Sequence, residues 1–177
     1  KLTPINTIHT SQKGTFGRTV MNAEEFEQES LGFIVSYGDL ITSLNKRISN
    51  SKNIKVSYDS EALAFNEEDN KQTLFYKQKL EKKSVDCDLL VLADGGKSKI
   101  KGIDIKKTNK SFDHSALVSC VETDIPHSNV AYERFTSMGP MALLPNLNGK
   151  YSLVWTGPKK DIKSLIGLSD SEFLIAL

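Results

Sequence analysis

The sequence contains little of what several protein classes need. Its 177 residues include two cysteines, Cys87 and Cys120, which are far apart and belong to no Cys-x-x-Cys pattern. We therefore expect no disulfide framework and no structural zinc site, and a reducing compartment fits best. The three histidines are widely separated, with no second ligand at the spacing that metal sites use, so no metal site is predicted.

The chain also lacks an excess of charge and long apolar runs. Lys and Arg number 23 and Asp and Glu 22, so a net charge of +1 gives no long-range field for nucleic acid or anionic lipid. No segment approaches the roughly 20 apolar residues that span a bilayer, and the first residues do not form a signal peptide. With 38% hydrophobic residues, the chain is predicted to form one soluble domain or two small ones.

The first 110 residues carry an α/β pattern. A short buried strand at residues 32–36, a helix capped by Asp39 and an alternating strand at residues 54–58 predict a strand-helix-strand unit. An antiparallel hairpin is predicted between residues 63–65 and 73–76. Residues 85–93 end in a continuous apolar run, which is typical of a strand covered on both faces in a doubly wound sheet.

The later residues read as an antiparallel sheet that is followed by a helix start. Strands are predicted at residues 115–122, 130–136, 141–144 and 151–155, with Asn148 and Gly149 as a tight turn before the last strand. Ser169 and Glu172 form a capping-box pattern immediately before an apolar run that ends with the chain. Since the chain also begins with Lys1 and not with Met, we expect an internal fragment of a larger protein.

Asp94 and Gly95, which follow the apolar run, are the strongest candidates for chemistry. The carboxyl edge of a doubly wound sheet is where ligands bind, and a carboxylate there can accept hydrogen bonds from ribose hydroxyls or water. Gly95 and Gly96 would let a phosphate approach the backbone, and Ser98 could cap the next element. The alternative is an ordinary strand-to-loop turn, because Asp-Gly pairs are common in turns.

This segment resembles the Asp-Gly motif of the flavin-dependent aromatic hydroxylases of the p-hydroxybenzoate hydroxylase type. The matching positions are Ala93, Asp94, Gly95, Ser98 and Ile100. Lys101 stands where the motif has Arg, which keeps the charge and loses the bidentate fork. Residues 126–145 and 152–155 resemble the ubiquinone-biosynthesis branch of that family, as do residues 9–14 and 31–35, so the resemblance covers nearly the whole chain.

The resemblance implies a fold and an activity. It implies that residues 1–110 are part of an FAD-binding α/β domain, although they lack the Gly-x-Gly-x-x-Gly loop of the family. It also implies that residues 111–177 are part of a β-rich substrate domain. Asp94, Gly95 and Ser98 would contact the FAD, and Pro140, Met141 and Leu143 the substrate; no catalytic residue is assigned. The alternative for Met141 and Leu143 is plain sheet core, the commoner place for such residues.

The activity implied is hydroxylation of a polyprenylated phenol in ubiquinone biosynthesis, with NAD(P)H and O2. The resemblance also implies a cytoplasmic protein at the periphery of the inner membrane, and exposed sheet edges predict a homo-oligomer or contacts with other enzymes of the pathway. Two further functions stay open: a non-catalytic binding or assembly module, and a flavin hydroxylase for another aromatic substrate. We expect this chain alone to be inactive.

Overall fold

The computed structural model describes residues 1–68, 71–97 and 99–177. It has a mixed α/β fold made mostly of strands. The strands are β1 (Leu2–Ile5), β2 (Thr7–Gln12), β3 (Arg18–Asn22), β4 (Gly32–Val35), β5 (Ser60–Glu68), β6 (Lys71–Gln78), β7 (Glu81–Cys87), β8 (His114–Val121), β9 (Val130–Phe135), β10 (Pro140–Pro145) and β11 (Tyr151–Pro158). The α-helices are α1 (Tyr37–Ser49), α2 (Lys159–Ile166) and α3 (Asp170–Ala176), and short 3-10 helices lie at Ala23–Phe26 and Leu147–Gly149.

The chain divides into two compact units, of which the first combines Lys1–Arg47 with Lys110–Leu177 and the second is Ile48–Asn109. The division of the chain into an FAD-binding part at residues 1–110 and a substrate part at residues 111–177 stays a prediction. The first 47 residues group with the later ones because β2 pairs in parallel with β9 and so joins the later sheet. A pairing between strands this far apart leaves no local sequence signal.

A six-stranded sheet in the order β3-β2-β9-β10-β11-β8 forms the centre of the first unit. All its neighbouring strands are antiparallel except β2 and β9. The turn before β11 uses Asn148 and Gly149, whose φ angles of 60° and 74° are left-handed, as the sequence predicts. β1 and β4 form a separate two-stranded ribbon.

The core of the first unit lies on one face of this sheet. Leu153 and Ile162 are fully buried and pack with Leu117 and Trp155, so α2 covers the strands β8 and β11. Phe173 of α3 packs against the same cluster. α3 begins with the expected capping box, in which the Ser169 hydroxyl accepts a hydrogen bond from the Glu172 amide and the Glu172 carboxylate accepts one from the Ser169 amide.

The second unit contains the three-stranded antiparallel ribbon β5-β6-β7, and its hairpin β5-β6 confirms the predicted one. The free edge of β5 binds the backbone of Lys101, whose amide donates to the Leu63 carbonyl at 3.0 Å and whose carbonyl accepts from the Phe65 amide at 2.8 Å. Gly102 follows with φ 89°, and a Cβ atom there would collide with the Phe65 carbonyl oxygen. These contacts fix the start of the segment that follows the Asp94 turn.

Two predicted strands are wrong. Residues 54–58 and 88–93 have no strand structure, and Leu89 and Val91 are about three-quarters exposed at 75% and 72%. An apolar run forms a buried strand only when neighbouring strands bind its backbone and other elements cover its faces. In the described parts of the chain, no strand pairs with either segment, so the doubly wound sheet and its strand-helix-strand unit do not form there.

The described helices are too short or too polar for a bilayer crossing.

Candidate functional site

The turn at Asp94 has a geometry that its own residues set. The Asp94 carboxylate accepts a hydrogen bond from the Gly96 amide at 2.8 Å, which is an Asx turn. Gly95 and Gly96 have φ angles of 67° and 73°, and residues with a side chain rarely adopt this left-handed conformation. The Lys107 ammonium group donates to the Gly96 carbonyl at 2.7 Å. A later part of the same segment thereby closes over the turn.

This closure forms a cavity of about 610 Å³ within the second unit. The volume lies in the ordinary range of small-molecule sites, about 300–1,000 Å³. Its walls carry both signs of charge, with Lys99 and Lys107 opposite in sign to Asp94 and Asp104. The remaining lining residues are Leu92, Gly95, Gly96, Ile100, Ile103, Ile105, Thr108 and Asn109.

The residues of the cavity fit a ligand that carries phosphate and ribose groups. Atoms added as Cβ at Gly95 or Gly96 would meet nothing within 4 Å, so a ligand can approach the backbone there. Lysine side chains are suited to phosphate as point charges, and a carboxylate is suited to sugar hydroxyls. Asp94 and Gly95 both line the cavity, whereas Ser98 lies outside the described residues. Contact of any of the three with a cofactor stays a prediction.

Sequence reasoning missed Lys99 and Lys107 as lining residues. Both belong to a lysine-rich stretch, Lys99 to Lys110, that predicts only a connector when it is taken alone. The available signal was that this stretch directly follows the Asp-Gly turn. A chain that reverses direction there returns over the turn and brings its lysines to it.

The three residues expected at the substrate lie on β10, and their side chains lie on opposite faces of the sheet. Met141 and Leu143 pack against the apolar core beside Trp155 and Leu153, their register partners on β11. Pro140 lies on the opposite face, since successive residues of a strand alternate. Met141 and Leu143 therefore pack as part of the sheet core, which is the alternative expected for them from the sequence.

A substrate contact by any of the three stays a prediction. The buried indole N–H of Trp155 has no hydrogen-bond partner among the described residues.

The sheet also carries a row of four aromatic side chains on that face. Tyr151 lies between His127 and Tyr132, with ring centroids 5.7 and 6.2 Å away, and His9 follows Tyr132 at 5.5 Å. Burial raises the pKa of the Tyr151 phenol above its ordinary value, and the neighbouring Tyr132 adds to the shift. Tyr151 is therefore a neutral hydrogen-bonding group at physiological pH. Across the described residues, no group of three or more His, Cys, Asp or Glu side chains is arranged to hold a metal ion.

Comparison with known proteins gives sequence relatives, although no family model matches the chain. The chain is 28% identical over 158 residues to the mitochondrial ubiquinone biosynthesis monooxygenase COQ6 of Mus musculus, which covers 84% of the chain and 33% of the relative. The Drosophila melanogaster protein of the same name is 37% identical over 94 residues, 51% of the chain and 20% of the relative. An uncharacterized protein of Synechocystis, slr1300, is 23% identical over 171 residues, 96% of the chain and 41% of the relative.

One solved structure shows the same kind of fold. A flavoprotein/dehydrogenase from Cytophaga hutchinsonii superimposes with a TM-score of 0.59 over 92% of the chain and 41% of its own length, at 10% sequence identity. The chain spans between 20% and 41% of the length of these proteins. The chain is thus similar in sequence to ubiquinone biosynthesis monooxygenases and similar in fold to a flavoprotein.

Proposed function

We propose that the chain carries part of the cofactor- and substrate-binding structure of a flavin-dependent monooxygenase that hydroxylates a polyprenylated phenol in ubiquinone biosynthesis. FAD would be the cofactor, and NAD(P)H and O2 the co-substrates. The sequence likeness to ubiquinone biosynthesis monooxygenases supports the reaction class. The observation that carries the proposal is the cavity at Asp94, because its walls suit a dinucleotide at the place where the resemblance implies one.

Each cavity residue has a binding role in this proposal. Asp94 would accept a hydrogen bond from a ribose hydroxyl, and Gly95 would let a phosphate approach the backbone closely. Lys99 and Lys107 would balance the phosphate charge. The bound flavin would supply the redox chemistry, and the protein orients it and excludes water. On β10, Pro140 and its neighbours would contribute to the substrate side.

Finer assignments belong to the same proposal. The sequence resembles 2-octaprenyl-6-methoxyphenyl hydroxylase within this family, so a substrate with a long prenyl tail is expected. Such a substrate resides in a membrane, which favours a cytoplasmic protein that associates with the inner membrane from its surface. A homo-oligomer or a contact with other enzymes of the pathway would fit the exposed strand edges.

The test is a titration with FAD that is followed at individual backbone amides by NMR. We expect the amide signals of Gly95, Gly96 and Lys99 to shift. Asp94→Ala should weaken binding by about ten-fold or more, since it removes a charged hydrogen-bond acceptor. Lys55→Ala is the matched control, because Lys55 is exposed in the same unit and does not line the cavity. FAD that leaves these three amides unshifted would contradict the proposal.

Activity is measured separately, as NAD(P)H oxidation and as mass-spectrometric detection of a hydroxylated prenylphenol. We expect the chain by itself to give no product, because it contains no Gly-x-Gly-x-x-Gly loop to hold the pyrophosphate. The same observation favours the second candidate, a non-catalytic binding or assembly module. That candidate predicts no FAD-dependent shifts at Gly95 and Gly96. A flavin hydroxylase for another aromatic substrate predicts the FAD-dependent shifts as well, and it predicts binding of a phenol without the prenyl tail in preference to a prenylated one.

A further inference from the structure

Two arginines flank one serine on the outer part of the six-stranded sheet. Ser11 of β2 is the register partner of Arg18 on β3 and of Arg134 on β9, so the three side chains lie in a row on one face. Arg134 donates a hydrogen bond to the Ser11 hydroxyl at 3.3 Å. Both arginines are exposed, and neither forms an ion pair in the described residues.

The spacing of this row suits one phosphate group. Strands lie about 4.8 Å apart, so the Cα atoms of Arg18 and Arg134 are separated by roughly 10 Å across β2. Two guanidinium groups at that separation can both reach an anion placed over Ser11, whose hydroxyl adds a third donor. Guanidinium forks match the geometry of phosphate oxygens, and an anion would relieve the repulsion between the two like charges.

The loop between β2 and β3 carries an apolar side chain beside this row. Phe16 has a relative exposure of 108%, the highest among the exposed large hydrophobic residues of the described chain. It lies between Gly14 and Gly17, both with positive φ, and Lys13 and Arg18 flank that segment. The chain contains no Asp or Glu before Glu24, so nothing acidic in the hairpin opposes an anionic surface.

We propose that the β2-β3 hairpin, with Arg18, Ser11 and Arg134 as the headgroup site and Phe16 as the apolar tip, docks the protein on an anionic phospholipid membrane. A bilayer surface presents phosphates directly above hydrocarbon, which is the combination that this hairpin matches. A nucleic acid backbone offers phosphates without hydrocarbon, so it would leave the exposed Phe16 without an apolar partner. The inference deepens the membrane association included in the proposed function by naming the hairpin that makes the contact, and its test needs neither flavin nor substrate, so it can fail while the flavin proposal holds.

The test is co-sedimentation with phosphatidylcholine vesicles that contain phosphatidylglycerol, compared with vesicles of phosphatidylcholine alone. We expect binding to the mixed vesicles only, and weaker binding as salt is raised. Arg18→Ser and Arg134→Ser should each reduce the partition coefficient about five-fold, the equivalent of one surface charge. Phe16→Ser should reduce it by at least as much. Arg134→Lys keeps the charge and should retain most of the binding.

Phe16→Trp gives a readout that does not depend on loss of binding. Its indole should shift its fluorescence to shorter wavelength when mixed vesicles are added, above the constant signal of Trp155. Leu80→Ser is the matched control, because Leu80 is 90% exposed at the turn of another hairpin. The charges beside Leu80 balance each other, since Glu81 forms an ion pair with Lys83. Equal binding to neutral vesicles, wild-type binding by Phe16→Ser, or a loss with Leu80→Ser as large as with Phe16→Ser would overturn the proposal. Binding of inorganic phosphate at Arg134 without vesicle binding would identify a site for a free anion and would also overturn it.

Discussion

His127 connects two turns at one end of the six-stranded sheet, and its removal should destabilise the first unit. Its Nδ1 atom accepts a hydrogen bond from the Asn129 amide at 3.0 Å, and its Nε2 atom donates to the Asn146 carbonyl at 2.9 Å. Ser128 and Asn129 both have positive φ, and the Asn129 carbonyl accepts from the Asn6 amide at 2.9 Å. The ring therefore holds a strained turn that supports the entry into β2.

The magnitude follows from the contacts that two variants remove. His127→Phe keeps a ring near Tyr151 and loses both hydrogen bonds, each worth about 1 kcal/mol net, so we expect a loss of about 2 kcal/mol. His127→Ala also loses the edge-to-face contact with Tyr151, whose ring centroid is 5.7 Å away. Since such ring contacts contribute about 1 kcal/mol, the total loss should be about 3 kcal/mol.

The assay is urea unfolding followed by the fluorescence of Trp155, the single tryptophan of the chain. His114→Ala is the control, because the exposed His114 ring bonds no group of the described residues except the nearby Phe112 carbonyl, so we expect a loss within about 0.5 kcal/mol. If His127→Phe unfolds at the same urea concentration as the wild type, the turn does not depend on the imidazole and the reasoning is wrong.

Three further changes test other parts of the structure. Gly102→Ala should cost about 2 kcal/mol or more, measured by thermal unfolding, because φ is 89° and a Cβ would collide with the Phe65 carbonyl. Hydrogen bonds from Ser169 lower the pKa of Glu172 in the folded protein. The stability that the ionised Glu172 contributes is therefore present above its unfolded pKa of about 4.3 and is lost as the pH falls. Glu172→Gln should reduce this loss of stability at acid pH, measured by urea titrations at several pH values. Burial raises the pKa of Tyr151 in the folded protein, so the stability that the neutral phenol contributes is fully present below its unfolded pKa of about 10 and is lost as the pH rises further. Tyr151→Phe should remove this loss of stability at alkaline pH in the same titrations.

Local signals in the sequence predicted local structure well. Asn148 and Gly149 predicted a turn before β11, and both adopt the required positive φ. Ser169 and Glu172 predicted a capping box, and both hydrogen bonds of the box are present. These motifs succeed because every atom that they need lies within four residues of chain.

Predictions that depend on distant partners were less successful. The apolar run at residues 89–93 needs strands on both sides, and the described chain supplies none, so it is exposed. The parallel pairing of β2 with β9 joins residues more than 120 positions apart, as in Ser11 with Arg134, and no spacing in the sequence announces it. The Arg18, Ser11 and Arg134 row follows from that pairing, which is why the sequence alone shows three unrelated residues.

The candidate site divides in the same way. Asp94 and Gly95 were predicted as candidates because they should end a buried strand, and residues 88–93 form no strand. The turn itself is local, since the Asp94 carboxylate accepts a hydrogen bond from the Gly96 amide, and a contact with a cofactor stays a prediction. Lys107 lies eleven residues from Gly96, so its contact with the Gly96 carbonyl depends on the path of the whole segment.

The alternation of β10 limits where a ligand of the sheet can bind. Pro140 lies on one face, and Met141 and Leu143 on the other, so one small ligand cannot contact all three from one side. Met141 and Leu143 already pack with the core beneath α2, and a ligand there would have to displace apolar contacts that stabilise the unit. A substrate bound to this sheet is therefore expected on the Pro140 face, with Ala142 and Leu144 as its neighbours along the strand.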